Sequence, residues 1–176
     1  MAEVIVSVGI DEAYAKLKAQ LTQSKCRIVA EKAPESVSVI QGSLWGTSPK
    51  TAQKKTNYTL WQDASGTHVA SASALTAGYI NLTVIGYMLS VALALVCAWI
   101  AFDLQAYVSI GVQGFWSWLT QTHGRLNADA ATLFIRMAWI LVAFLAATLV
   151  AETVIIVRVR AKKDLFAEET LKTLQP

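Results

Sequence analysis

Two long runs of apolar residues stand out after residue 77. Residues 78–102 contain no Asp, Glu, Lys or Arg, and residues 133–157 contain only Arg136 and Glu152. Each run has 25 residues, whereas about 20 helical residues cross the hydrocarbon layer of a bilayer. Two buried core helices are the alternative, but two such runs in 176 residues exceed what a soluble core needs. The pattern therefore predicts two transmembrane helices, 78–102 and 133–157.

Shorter apolar stretches with other periods fill residues 1–77. Val4, Val6 and Val8 occupy every second position, which is typical of a strand with one buried face. Ala13, Leu17 and Leu21 recur every four residues, which favours a helix lying on a sheet. Four more strands are predicted in RIVAE, SVSVIQG, TNYTLWQ and THVASASAL. The pattern predicts an α+β domain, β-α-β-β-β-β, whose antiparallel sheet has one covered and one open face.

This order of elements is similar to half of a TATA-binding-protein-like fold over residues 3–75. The likeness is one of element order, and it carries no DNA-binding residues to this chain. The whole layout also resembles uncharacterised prokaryotic membrane proteins in which a small α+β domain precedes a transmembrane helical hairpin. The resemblance implies the fold class and no activity.

The segment 103–132 between the two runs is rich in aromatic residues. Such side chains collect at membrane interfaces, where an apolar ring and a polar tip are both accommodated. We predict a short interfacial or partly re-entrant helix ending near His123, with an ordinary polar loop as the alternative. Asn127 is expected to cap the second span. The predicted aromatic anchors are Tyr107, Phe115, Trp116 and Trp118.

Basic residues are concentrated after the second run, which bears on orientation. The positive-inside rule counts Lys and Arg near the ends of spans, and residues 58–77 offer none. We therefore expect both termini in the cytoplasm, with 1–77 as a cytoplasmic domain, 103–132 outside and 158–176 as a basic cytoplasmic tail. The N-terminus lacks the pattern of a cleavable signal peptide. The predicted basic anchors are Arg158, Arg160, Lys162 and Lys163.

Composition and motifs argue against several kinds of site. Only 15% of residues are charged, against about 25% in soluble domains, and a net charge of +3 is too small to indicate nucleic-acid binding. Cys26 and Cys97 are not expected to meet, and no metal, cofactor or catalytic spacing is present. The loop GSLWGTSPK is interpreted as a surface loop or as a contact loop anchored by Trp45. In the second interpretation, Lys50, Lys54 and Lys55 face anionic headgroups or an acidic partner.

Small residues form a stripe on each predicted span. At about 100° per residue, five small residues of the first span lie on one face, and three alanines line a matching face of the second. Small residues let helix backbones approach closely in lipid, so we expect the two stripes to pack together. The stripes consist of Thr83, Gly86, Ser90, Ala94 and Cys97, and of Ala143, Ala147 and Ala151.

If the stripes pack, Glu152 lies on another face of the second helix, with Thr148, Leu145 and Leu141. It then points to lipid or to another protein. Three interpretations stay open: a side chain that reaches the headgroups, a polar contact with a partner, and a proton- or ion-transport group. We expect Thr148 and Glu152 to form a partner contact or Glu152 to reach the surface, because one carboxylate on one hairpin makes no pathway.

The function predicted from these features is a non-catalytic small membrane subunit, or a self-assembling scaffold. Its partners would be membrane lipids and either other membrane subunits or further copies of itself, without nucleic acid or cofactor. The alternative is a membrane-anchored sensor that binds a lipid or small ligand on the open face of its sheet. An enzyme is the third and least favoured class.

Overall fold

A computed structural model describes residues 2–174 of the chain. The predicted α+β class is confirmed: a five-stranded antiparallel sheet is followed by two long apolar helices. The elements are β1 (Ala2–Val6), α1 (Ile10–Gln23), β2 (Arg27–Lys32), β3 (Ser36–Gln41), β4 (Lys54–Asp63), β5 (Gly66–Leu75), α2 (Ala77–Ile110), β6 (Gln121–Thr122), β7 (Arg125–Leu126), α3 (Ala128–Ala161) and α4 (Leu165–Lys172). A 3₁₀ turn, Ser117–Thr120, precedes β6.

The chain divides into two compact units. Among the described residues, the sheet unit contains 2–83 and 154–174, so it is built from two stretches that are far apart in sequence. The hairpin unit is Val84–Thr153, which holds most of α2 and α3. Each of these helices has 34 residues, or about 51 Å at 1.5 Å per residue. Both helices are long and apolar enough to span a membrane.

The strand order of the sheet is β1-β5-β4-β3-β2, with every pair antiparallel. Alternation places Val4, Val69, Leu60 and Val37 on one face, because successive side chains of a strand point to opposite sides. Against this face lies α1, whose Leu17 and Leu21 are fully buried, as their four-residue spacing predicts. The other face of the sheet is open.

The helix α4 completes the core of the sheet unit and was not predicted. Its Ala167 and Leu171 are buried in the same cluster as α1 and the strands. Leu171 is 3% exposed, and full burial of a leucine side chain stabilises a fold by about 1.5–3 kcal/mol. Residues 158–174 are therefore the end of α3 and a packed helix, where the sequence predicted a basic tail; Gln175 and Pro176 lie outside the described residues.

The segment that connects α2 to α3 in the hairpin unit has defined structure at both ends. α2 continues to Ile110, beyond the apolar run, and α3 begins at Ala128. Asn127 caps α3, as predicted, because its side-chain oxygen accepts a hydrogen bond from the backbone N–H of Ala130 at 3.0 Å. Between the helices, β6 and β7 pair through a tight turn at His123 and Gly124, both of which have positive φ.

Candidate functional site

The small residues of α2 lie on its less exposed side. Thr83, Gly86, Ser90 and Ala94 are partly buried, and Cys97 is 7% exposed. At Gly86 the stripe does not receive a closely packed helix, however, because a Cβ built there meets no described atom within 4 Å. Room for a neighbouring backbone is therefore left at this point of the apolar helix.

The alanine stripe of α3 lies on the exposed side of that helix. Ala143, Ala147 and Ala151 are all exposed. The half-buried residues of this part of α3 instead include Leu145, Thr148 and Glu152, so α3 is rotated from the orientation expected from the sequence. Packing through the three alanines stays a prediction, and in this structure their surface is free.

Glu152 consequently lies on the more enclosed side of α3. Its Oε2 atom is inaccessible to solvent and has no hydrogen-bond partner among the described residues. Thr148, one turn earlier, is already satisfied, because its hydroxyl donates to the carbonyl of Phe144 at 2.6 Å. Of the two candidate contact residues, Glu152 is thus the one with a buried oxygen that lacks a partner among the described residues, whereas Thr148 uses its only proton within its own helix.

A carboxylate organises the segment that follows α2. Asp103 Oδ2 accepts a hydrogen bond from the backbone N–H of Trp116 at 2.7 Å. Gly114 makes this approach possible, since a Cβ at that position would lie 1.8 Å from Asp103 Oδ1. The connecting chain is therefore folded back against the end of the apolar run in α2.

The predicted aromatic anchors differ in their surroundings. Phe115 and Trp118 are exposed, Trp116 is partly buried, and Tyr107 is buried, with its hydroxyl accepting a hydrogen bond from Gln121 Nε2 at 3.4 Å. Trp99 of α2 stacks on Phe115, with ring centroids 5.5 Å apart, and meets Trp116 edge-on. This contact adds Trp99 to the group of aromatic anchors. Its position near the end of the first apolar run is the sequence feature that could have predicted this role.

An apolar cavity of about 420 Å³ lies in the hairpin unit between α2 and α3. Cys97 and Ile100 line one side, Met137 and Leu141 the other, and Leu119 comes from the connecting segment. With so few polar groups in its lining, this space suits hydrocarbon and offers nothing for orienting a polar ligand.

Basic residues surround the junction of α3 and α4. Arg158, Arg160, Lys162 and Lys163 are exposed, as their predicted role as anchors requires. Lys54 is different: it is 0% exposed, and its Nζ donates to the carbonyls of Pro49 and Lys163 at 2.6 and 3.0 Å. Burial lowers the pKa of Lys54, while the charges of Asp164 and Glu169 oppose that effect.

Lys54 therefore cannot face headgroups, contrary to the contact-loop interpretation. Lys50 keeps an exposed ammonium but pairs with Glu169 of α4 at 2.8 Å. Of the three lysines in that interpretation, Lys55 alone is exposed without an ion pair among the described contacts.

The open face of the sheet carries an ionic cluster around His68. Its Nδ1 lies 2.7 Å from Glu3 Oε1 and its Nε2 lies 2.9 Å from Asp63 Oδ2. Trp61 stacks on the ring with centroids 5.1 Å apart. The hydrogen bond to Glu3, followed by the charges of Asp63 and Glu3, raises the pKa of His68 against the opposing effect of burial.

Ser65 completes this cluster and shows its chemical character. Its hydroxyl donates to Asp63 Oδ1 at 2.5 Å and lies 3.0 Å from His68 Nε2. A hydroxyl has one proton, so Ser65 can only accept from the ring. Both ring nitrogens of His68 then donate to carboxylates, as a protonated imidazolium does. In this state His68 links β1 to the β4–β5 turn, and it does not act as a base that activates Ser65.

Among residues 2–174, no group of His, Cys, Asp and Glu has an arrangement that could hold a metal ion. Comparison with protein-family models, with curated proteins and with solved structures gives no match for this chain.

Proposed function

We propose that the chain is a small integral-membrane subunit or scaffold, without catalysis of its own, that assembles through its apolar helices. The observation that carries the proposal is the outward alanine stripe, Ala143, Ala147 and Ala151. Small residues at this spacing allow close approach of a second helix in lipid, where van der Waals packing drives association. The stripe is not used inside the chain, so a second copy or another subunit is the natural occupant.

Both termini are assigned to the cytoplasm in this proposal, on the strength of the exposed basic residues after the apolar part of α3. The TATA-binding-protein-like order of elements adds no nucleic-acid function. Its sheet keeps one open face of mixed character, with Ser38 bonded to Asn57, the His68 cluster at one end and exposed Ile5 and Trp61 beside His68.

The sensor hypothesis is weaker because polar side chains occupy much of the central strand, β4, on this face. A site for an apolar ligand is usually a concave pocket lined by hydrophobic side chains. On the open face, Lys55, Asn57 and Thr59 of β4 are exposed polar residues at alternate positions. Such a surface would suit a polar partner better than a lipid tail.

The decisive experiment is mass determination after extraction in a gentle detergent, using the full chain and the variant Ala147→Leu. We expect the native protein to exceed its monomer mass of 19.1 kDa, and the added bulk at Ala147 to shift it toward the monomer. Ala92→Leu is the matched control, because it makes the same change at an exposed position of α2. A monomeric native protein, or equal effects of both variants, would contradict the proposal.

Glu152 gives a second test of assembly. If the carboxyl group of the half-buried Glu152 bonds a donor on the partner, Glu152→Gln should retain part of the contact and Glu152→Leu should lose it. Leaving a buried donor unpaired costs about 1–3 kcal/mol, so assembly should weaken in the order native, Gln, Leu. A proton or cation flux into liposomes that disappears in Glu152→Gln, with assembly intact, would instead make Glu152 a transport residue.

A further inference from the structure

The loop between β3 and β4, residues 42–53, presents its largest apolar side chains to the outside. Trp45 is 79% exposed and Leu44 is 39% exposed. A single exposed apolar residue is ordinary in proteins. An indole that lies almost entirely outside the fold, beside a second exposed apolar residue, requires an explanation. We refer to residues 42–53 as the tryptophan loop.

The tryptophan loop is held in one shape by its own backbone. The N–H of Ser43 donates to the carbonyl of Thr51 at 2.7 Å, and the N–H of Gly46 donates to that of Ser43 at 3.0 Å. The chain passes so closely that a Cβ at Gly46 would lie 2.0 Å from the Thr51 oxygen. Trp45 is therefore displayed on a preformed turn, which reduces the entropy lost when it makes a contact.

The loop lies beside the first turns of α2 and the last turns of α3, all within the sheet unit. The Tyr79 hydroxyl donates to the carbonyl of Gly46 at 2.9 Å. Leu44 lies over Gly78, where an added Cβ would be 3.3 Å from its Cδ2. Ala52 is buried against Tyr79 and Val159. Gly78 opens the first apolar run and Val159 follows the second, so the loop lies where both runs meet water.

From this position we propose that the tryptophan loop docks on the lipid headgroup surface, with the Trp45 indole in the interfacial layer. Tryptophan favours that layer because its ring is apolar and its N–H is polar. The exposed Arg158 and Arg160 flank Val159 and would face the same lipid phosphates. This inference rests on the proposed membrane insertion of α2 and α3, and it does not require assembly.

The test uses the full chain carrying Cys26→Ser and Cys97→Ala, reconstituted in vesicles of phosphatidylcholine and phosphatidylglycerol that contain a headgroup-attached quencher. A fluorophore on Thr47→Cys reports on the tryptophan loop, because Thr47 is exposed and Trp45 is kept. Ala64→Cys, exposed at the β4–β5 turn, is the control. We expect strong quenching at position 47 and little at position 64, which is about 30 Å away along β4 at 3.3 Å per residue.

A third probe separates failure of the loop proposal from failure of membrane insertion. Leu93→Cys is exposed in the middle of the apolar run of α2, and a quencher deep in the acyl chains should quench it. Quenching at Leu93 with a water-like signal at Thr47 would overturn the lipid assignment and indicate a protein partner for Trp45. Water-like signals at both positions would overturn membrane insertion itself and, with it, this proposal.

The indole is tested by adding Trp45→Ala to the Thr47→Cys protein. We expect this change to remove most of the quenching at position 47, because the indole no longer anchors the loop in the headgroup layer. The fold should be kept, since the exposed side chain contributes little to the folded core. Trp61→Ala, on the open face of the sheet, is the matched control and should leave the signal unchanged. Equal signals with and without Trp45 would show that the indole is not the anchor.

Discussion

His68 stands between two carboxylates that come from distant parts of the sequence. Glu3 belongs to β1, and Asp63 lies at the end of β4. The hydrogen bond to Glu3 is the main cause that raises the pKa of His68 above its ordinary value of about 6.5. A raised pKa in the folded state means that protonation favours folding. This contribution is fully present below about pH 6.5 and is lost as the pH rises through the folded-state pKa.

We therefore predict that the contribution of His68 to the thermal stability of the sheet unit falls as the pH is raised from about 6 to 8.5. Glu3→Gln should flatten this dependence, because it removes the largest cause of the pKa shift. Unfolding temperatures of the full chain in detergent, measured across that range, check the prediction. Glu35→Gln is the control, since Glu35 pairs with Lys32 away from the cluster; equal slopes for all three proteins would contradict it.

At the scale of elements, α4 depends on contacts with parts of the chain that are far away in sequence. The Asp164 side chain accepts a hydrogen bond from the N–H of Ser73 at 3.2 Å. Lys54 holds the carbonyl of Lys163, which precedes α4, and Glu169 pairs with Lys50. These polar contacts fix where α4 begins, and Ala167 and Leu171 then fill the core.

Lys54→Met should loosen this junction, because it keeps the side-chain stem and removes the donor to Pro49 and Lys163. An acceptor left without its donor costs about 1–3 kcal/mol, and we expect a loss of that size in the free energy of unfolding. Chemical denaturation in detergent measures it. Lys55→Met changes an exposed neighbour of the same strand, and a loss as large in this variant would refute the role given to Lys54.

The sequence predicts elements whose pattern is local. Strand alternation, the four-residue spacing of Leu17 and Leu21, the two apolar runs and the Asn127 cap all have local causes, and each is found in the structure. The helix α4 was missed because its apolar residues follow a basic cluster and have no local partner. The side of α3 on which Glu152 lies depends on how the helix is rotated against its surroundings, which periodicity alone does not determine.

For the whole molecule, orientation in the membrane is the property that the basic residues predict. Cysteine at Thr122, exposed in β6, should react with an impermeant thiol reagent in intact cells, whereas cysteine at Thr173 should react only after permeabilisation. Both are placed in the chain carrying Cys26→Ser and Cys97→Ala. The reverse labelling pattern would place the sheet unit outside the cell.

The core that joins residues before α2 to residues after α3 sets the order of events during synthesis. About 90 residues separate the end of β5 from the start of α4, and a ribosome adds roughly 5–20 residues per second. For some seconds, while both apolar helices are translated, the face of the sheet that Leu171 will cover therefore stays exposed to water. A chain that stops before α4 cannot close this core and would expose an apolar surface to chaperones and proteases. Completion of the sheet unit thus reports that the entire hairpin has been translated.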